Sequence, residues 1–226
     1  MTAKKKRPKQ IYSLDEESLF NIHSFDVDVE SNQIYLFGRE EYAFDTENGE
    51  PGVEYAMANK FIRNLNTLMR KSEDPILIHM KTCGGFWEEG MAIYDAISAC
   101  PNYVAILSYT HARSMSSIIF QAADKRIMMP HSTFMFHDGE IYMGGTVKQF
   151  LTEVEQVKRS NEIMTKIYVE VMQESDRWKD SSVEEIEKWL RDQMDKKEDV
   201  HLTAEEAIEH GFADEIFSGW EDLVKF

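Results

Sequence analysis

Ser114 and His137, 23 positions apart, are residue types that can act as a nucleophile and its base. A serine hydroxyl attacks poorly until a neighbouring base takes its proton, and imidazole titrates in the range suited to that task. Ser114 lies in ARSMSSIIF (112–120) and His137 in PHSTFMFHDG (130–139). Gly84 and Gly85 add a third feature. Glycines at a strand-to-helix turn let a backbone N–H approach a ligand closely, and the following helix adds positive potential. Amide groups presented in this way can stabilise an oxyanion. The blander reading of Ser114 alone is a helix N-cap. Two turns of similar design in one chain favour the chemical reading.

The flanking patterns place these residues on elements. PILIHMKT (75–82) reads as a buried strand and FWEEGMAIYDAISA (86–99) as a helix, with the glycines between them. YVAILSYT (103–110) reads as a strand that leads into Ser114 and the helical pattern MSSIIFQAA, while His137 closes the alternating run TFMFH. Carboxyl ends of parallel strands share one sheet edge, where sites form. SNQIYLFG (31–38) is an early strand, and AMANKFIRNLNTLMRK (56–71) is a helix with Phe61, Leu65 and Leu68 on one face. The acidic, turn-rich stretch 40–54 reads as an exposed loop. Residues 147–172 form a long amphipathic pattern, with Val147, Phe150, Leu151, Val154 and Val157 continued by Ile163, Met164, Ile167, Val171 and Met172. Such a stripe most often covers a core.

Taken in order, GGFWEEGMAIYDAI, ARSMSSIIF, PHSTFMFHDG and HLTAEEAIEHGFADEIF (201–217) resemble the proteolytic subunit of the ATP-dependent Clp protease. That family shows a double glycine before an IYD-bearing helix, A-A-S-M-G at the nucleophile, M-I-H at the base, and a final S-A-x-E-A-x-x-x-G-x-x-D. The likeness runs from about Gly38 to Asp214. It implies an α/β fold of the Clp protease/crotonase type, with repeated strand-turn-helix units and a protruding helical handle at 147–172 that joins two rings. By resemblance, Ser114 is the nucleophile, because among Ser114, Ser116 and Ser117 it alone is followed by Met; His137 is the base, with His131 structural. The N–H groups of Gly85 and Met115 are the oxyanion donors. Counting seven residues back from Leu202 gives Asp195 as the third member, with Asp192 and Asp199 as rivals. Such an acid holds the imidazole tautomer and stabilises the imidazolium. The chain departs from the family at Lys81-Thr82-Cys83 before the glycines, at Arg113 before the nucleophile, and at Ser116 after Met115.

Composition sets the outer bounds. A chain of 226 residues with 42% hydrophobic content suits one α/β domain over 11–226, preceded by a basic arm at 1–10. No apolar run approaches the ~20 residues that span a bilayer, and MTAKKKRPKQ lacks the apolar region of a secretory signal. Two cysteines, Cys83 and Cys100, without CxxC spacing, suggest a reducing, cytoplasmic setting and neither a zinc site nor a disulfide framework. The first ten residues hold five basic groups, which leaves 20 basic against 41 acidic residues in the remainder. Nucleic acid is thereby disfavoured.

The leading expectation is a serine endopeptidase that cleaves unfolded polypeptide inside a self-compartmentalised homo-oligomer. It needs no metal or cofactor. No G-x-x-x-x-G-K-[ST] motif occurs, so ATP would be used by a separate Clp-type unfoldase. The alternatives are a catalytically degenerate structural subunit of the same fold and a phage-type head maturation protease. A crotonase-type enzyme acting on acyl-CoA enolates is disfavoured by the Ser/His/Asp combination.

Overall fold

The computed structural model describes residues 15–38, 51–141 and 143–220. The basic arm and most of the acidic stretch 40–54 lie outside the described residues. Helix α1 (Glu16–Phe25) leads into the short strand β1 (Val27–Asp28) and β2 (Gln33–Phe37). Three strand-helix units follow: α2 (Tyr55–Lys71) and β3 (Ile76–Thr82), then α3 (Trp87–Ser98) and β4 (Val104–Arg113), then α4 (Met115–Phe120) and β5 (Lys125–Met128). The remainder is β6 (Thr133–Phe136), the long α5 (Val147–Gln173), α6 (Val183–Lys197), β7 (Val200–Thr203), α7 (Ala204–His210) and β8 (Glu215–Ile216).

The sheet runs β1-β2-β3-β4-β5-β8, parallel from β2 onward. Strand β4 has ten residues and serves two neighbours. Its first half pairs with β5 through Ala105–Ser108, and its end pairs with β6 through His111–Arg113. Strand β7 then pairs antiparallel with β6. The carboxyl ends of β3, β4 and β6 therefore converge, as parallel strands require, and Gly84, Ser114 and His137 each follow one of them.

A main core binds this arrangement, with a smaller cluster around Leu107 and Ile127. Phe61, Leu65 and Leu68 of α2 are buried against the sheet together with Ile78, Met80, Ile106, Ile119 and Phe120. Each such side chain contributes about 1.5–3 kcal/mol on leaving water. Helix α3 reaches α4 through Gly90, where a Cβ would fall 2.1 Å from Met115 Cγ. Residues 51–54 do not form the exposed loop that their turn-rich composition suggests. Val53 is buried, pairs with Gly85 in a parallel bridge, and precedes Glu54, whose carboxylate caps α2 by accepting from the N–H groups of Ala56 and Met57.

Helix α5 is continuous through Ser160 and Asn161, but its stripe has two fates. Ser160, Met164, Ile167, Tyr168 and Met172 are buried, whereas Val147, Phe150 and Leu151 are exposed.

Candidate active site

Ser114 occupies the N-cap position of α4, yet its side chain makes no capping hydrogen bond. Instead Ser114 Oγ lies 2.9 Å from His137 Nε2. The backbone there has φ 50° and ψ −132°, a region that L-residues rarely adopt. Such a conformation costs on the order of 1–3 kcal/mol and persists only where its surroundings enforce it. The Ser114 N–H donates to Met135 O at 3.1 Å, which fastens the turn to β6.

The two neighbouring serines are part of that enforcement. Ser116 Oγ accepts from the Arg113 N–H at 2.9 Å and lies 2.9 Å from Thr82 O and 2.8 Å from Arg113 O, so one hydroxyl ties the turn to the end of β3. Ser117 Oγ lies 2.5 Å from Ser114 O and 2.7 Å from the Tyr168 hydroxyl of α5. A donor relay from Tyr168 to Ser117 to the Ser114 carbonyl satisfies both contacts. Burial raises the Tyr168 phenol well above its ordinary pKa, so it stays protonated. Ser116 and Ser117 are fully buried with their hydroxyls engaged, and only Ser114 presents its oxygen to a histidine. The Ser116 side chain, which departs from the family pattern, is thus accommodated inward.

His137 stands one residue beyond β6, and its partner is set by strand register. The β6–β7 ladder pairs Phe136 with Val200. Continued by one residue, that antiparallel register brings His137 opposite Asp199, and His137 Nδ1 lies 3.4 Å from Asp199 Oδ1. This separation is an ion-pair distance, longer than the ~2.7–2.9 Å of a charge-assisted hydrogen bond. The carboxylate that faces the imidazole is therefore Asp199 and not Asp195. Asp195 lies on the exposed side of α6, and Asp192 pairs with Lys188 at 2.7 Å, which holds its carboxyl below the usual range. The count back from Leu202 fails because α6 continues to Lys197. Glu198, at φ 59°, then turns the chain and leaves Asp199 immediately before β7. His131, six residues before His137, is exposed and has no place in this group.

The double glycine is required by its neighbours. Gly84 has φ 99°, and a Cβ there would fall 2.7 Å from Ser114 Cβ and 2.9 Å from Met115 N. Gly85 has φ 150°, and its Cβ would fall 2.2 Å from Val53 O. Val53 holds the turn from outside: its N–H donates to Gly84 O at 2.5 Å, and its carbonyl accepts from the Phe86 N–H at 2.9 Å. Among the described residues, the N–H groups of Gly85 and Met115 have no hydrogen-bond partner. No local pattern marks Val53, a lone apolar residue in a stretch of Gly, Pro and Glu. Cys83, half-buried just before the glycines, lies near Gly52, where a Cβ would be 3.7 Å from its Sγ.

Together these groups bring a hydroxyl onto one imidazole nitrogen, place a carboxylate 3.4 Å from the other, and leave two backbone N–H groups without partners in the adjoining turns. Such an arrangement is suited to acyl transfer. Among the described residues no group of three His, Cys, Asp or Glu side chains could hold a metal, and no helix is long and apolar enough to cross a membrane.

Residues 49–219 match the family model described as Clp protease. The chain is 32% identical over 170 residues to the ATP-dependent Clp protease proteolytic subunit 1 of Frankia casuarinae, covering 73% of this chain and 72% of that one. It is 30% identical over 177 residues to proteolytic subunit 2 of Thermobifida fusca, covering 76% and 80% respectively. Among solved structures, a ClpP1 mutant from Listeria monocytogenes superposes with a TM-score of 0.67 at 22% identity, covering 86% of this chain and 96% of that chain. That likeness is one of fold, and it agrees with the α/β architecture expected from the sequence.

Proposed function

From the premise that the chain belongs to the Clp protease family, we propose that it is a serine endopeptidase with Ser114 as nucleophile, His137 as general base and Asp199 as the orienting acid. The observation that carries this reading is the 2.9 Å contact between Ser114 Oγ and His137 Nε2 at a strained turn. In acylation, His137 Nε2 takes the Ser114 proton as Oγ attacks a peptide carbonyl. Asp199 keeps the remaining imidazole proton on Nδ1, so that Nε2 is the free base, and it stabilises the imidazolium that forms. The N–H groups of Gly85 and Met115 stabilise the developing oxyanion. The imidazolium then protonates the leaving amine, and water hydrolyses the acyl-enzyme by the same steps in reverse. The reaction draws on no metal or cofactor.

Substrate and assembly follow the same premise. The substrate is an extended, unfolded polypeptide, delivered by a separate Clp-type ATPase in the cytoplasm. The exposed side chains of Val147, Phe150 and Leu151 on α5 are covered by other copies of this chain, as in the handle of the family, and the sites are enclosed within that assembly.

A degenerate subunit is the competing reading, and Arg113 and Ser116 are the residues that raise it. Ser116 is buried and hydrogen-bonded without displacing Ser114 from His137, which favours the competent enzyme. A fluorophosphonate probe tests this directly. The wild-type chain is expected to be labelled at Ser114, and Ser114→Ala to lose both labelling and peptide hydrolysis, the latter by several orders of magnitude. Labelling that persists in Ser114→Ala and moves to Ser116 or Ser117 would sink the assignment.

A further inference from the structure

We infer that Arg191 is a positioning residue for the catalytic base, holding the loop after His137 through a closed ring of hydrogen bonds; this rests on the peptidase reading above. The β6–β7 ladder ends at Phe136 and Val200, so His137 and Asp199 both lie one residue past the last pair. Beyond that point the sheet no longer fixes either side chain. Other elements anchor the residues that follow.

Arg191 of α6 donates from Nη1 to Asp138 Oδ1 at 2.8 Å and from Nη2 to Thr165 Oγ1 at 2.7 Å. The buried Thr165 hydroxyl donates to Asn161 O at 2.7 Å. The Asn161 side-chain oxygen accepts from the Gly139 N–H at 2.9 Å. Asp138 and Gly139 are consecutive, so the ring closes on the two residues after His137. One guanidinium reaches two acceptors on different elements from two separate nitrogens held in one plane, a span that the single nitrogen of a lysine ammonium does not reproduce.

A second circuit gives this ring its consequence. The helix that carries Arg191 ends at Lys197 and passes through Glu198 to Asp199, the acid on His137 Nδ1. Helix α6 therefore holds the acid through the chain and the base loop through Arg191. The Arg191–Asp138 pair is half-exposed, with side-chain exposures of 39% and 49%, and such pairs add little to stability. Its effect is on geometry. His137 Nδ1 and Asp199 Oδ1 are already 3.4 Å apart, and catalytic groups displaced by about 1 Å lose roughly a hundredfold in rate.

Peptide hydrolysis and the rate of fluorophosphonate labelling, measured on the full chain, test the role. Arg191→Gln is expected to lower kcat roughly 10- to 100-fold while leaving KM nearly unchanged, with an equal loss in labelling rate and an unaltered melting temperature. Arg191→Lys should recover part of the loss, since it keeps one of the two contacts. Thr165→Val, which preserves the Asp138 contact, should lose less than Arg191→Gln. Asp138→Asn combined with Arg191→Gln should be no slower than Arg191→Gln alone. A labelled wild type whose Arg191→Gln variant is equally fast overturns the positioning role alone, as does a rate loss matched by a loss of folded protein. A wild-type chain that is never labelled at Ser114 overturns the peptidase reading and this one with it.

Discussion

The turns after β3 and β4 are built to the same plan and meet its cost differently. Both take the chain from a parallel strand into a helix with positive φ, and they touch, since the missing Cβ of Gly84 points at Ser114. The first turn uses two glycines, for which such angles are inexpensive. The second keeps a side chain in a region where L-residues are strained, and three hydroxyls, from Ser116, Ser117 and Tyr168, hold it there. A turn that only presents amides can be glycine. One that must present an oxygen cannot. The difference separates the half of the site that presents amides from the half that presents a hydroxyl, and it predicts opposite responses to substitution.

The largest expected effect lies on the nucleophilic side. Asp199→Asn should lower the rate of peptide hydrolysis by about 10²–10⁴, because the amide does not enforce the Nδ1–H tautomer. Asp195→Asn and Asp192→Asn should stay within a few-fold of wild type. A dead Asp195→Asn beside an active Asp199→Asn would show that strand register does not choose the acid.

Asp199 is also the member of the site that no sequence pattern singles out. The convergence of Gly85, Ser114 and His137 is legible because each follows a strand that the apolar pattern marks, with a residue type that a tight turn or acid–base chemistry uses. Asp192, Asp195 and Asp199 are alike in type, and only the end of α6 and the pairing of Phe136 with Val200 distinguish them. No local pattern supplies either. The long α5 is legible as one apolar stripe, but periodicity cannot tell Met164, which is buried in the core, from Val147, which is exposed. Val53 and Arg191 lie outside any motif, and their roles come from contacts with Gly85 and Asp138 that are remote in sequence.

On the glycine side the response should be in stability. Gly85→Ala places a methyl 2.2 Å from the Val53 carbonyl, and Gly84→Ala places one 2.7 Å from Ser114 Cβ, both at positive φ. Backbone atoms cannot give way as the end of a side chain can. Each substitution should therefore cost about 2–4 kcal/mol in denaturant unfolding, the range for overpacking combined with a strained backbone. A Gly84→Ala variant as stable as wild type would mean that the turns are not in contact, and an equally stable Gly85→Ala that Val53 does not hold the first turn.

The smallest effect has the opposite sign. Ser114→Gly removes the side chain whose presence makes φ 50°, ψ −132° costly, so it relieves strain of about 1–3 kcal/mol. Against that stands the extra freedom of glycine in the unfolded chain, about 0.5–1 kcal/mol. The balance is a variant more stable than Ser114→Ala by about 1 kcal/mol and, like it, without activity. Ser114→Ala is the control, because it also loses the hydroxyl and its contact with His137 but keeps Cβ and therefore the strain. The quantity to measure is the difference in unfolding free energy between the two inactive variants, which cancels the lost hydrogen bond. Glycine more stable than alanine at Ser114, beside glycine more stable than alanine at Gly84, would show that both turns demand the same backbone and that only the need for an oxygen keeps serine in the second. If alanine proves equal or better at Ser114, the turn is unstrained, and the bonds from Ser116, Ser117 and Tyr168 serve packing alone.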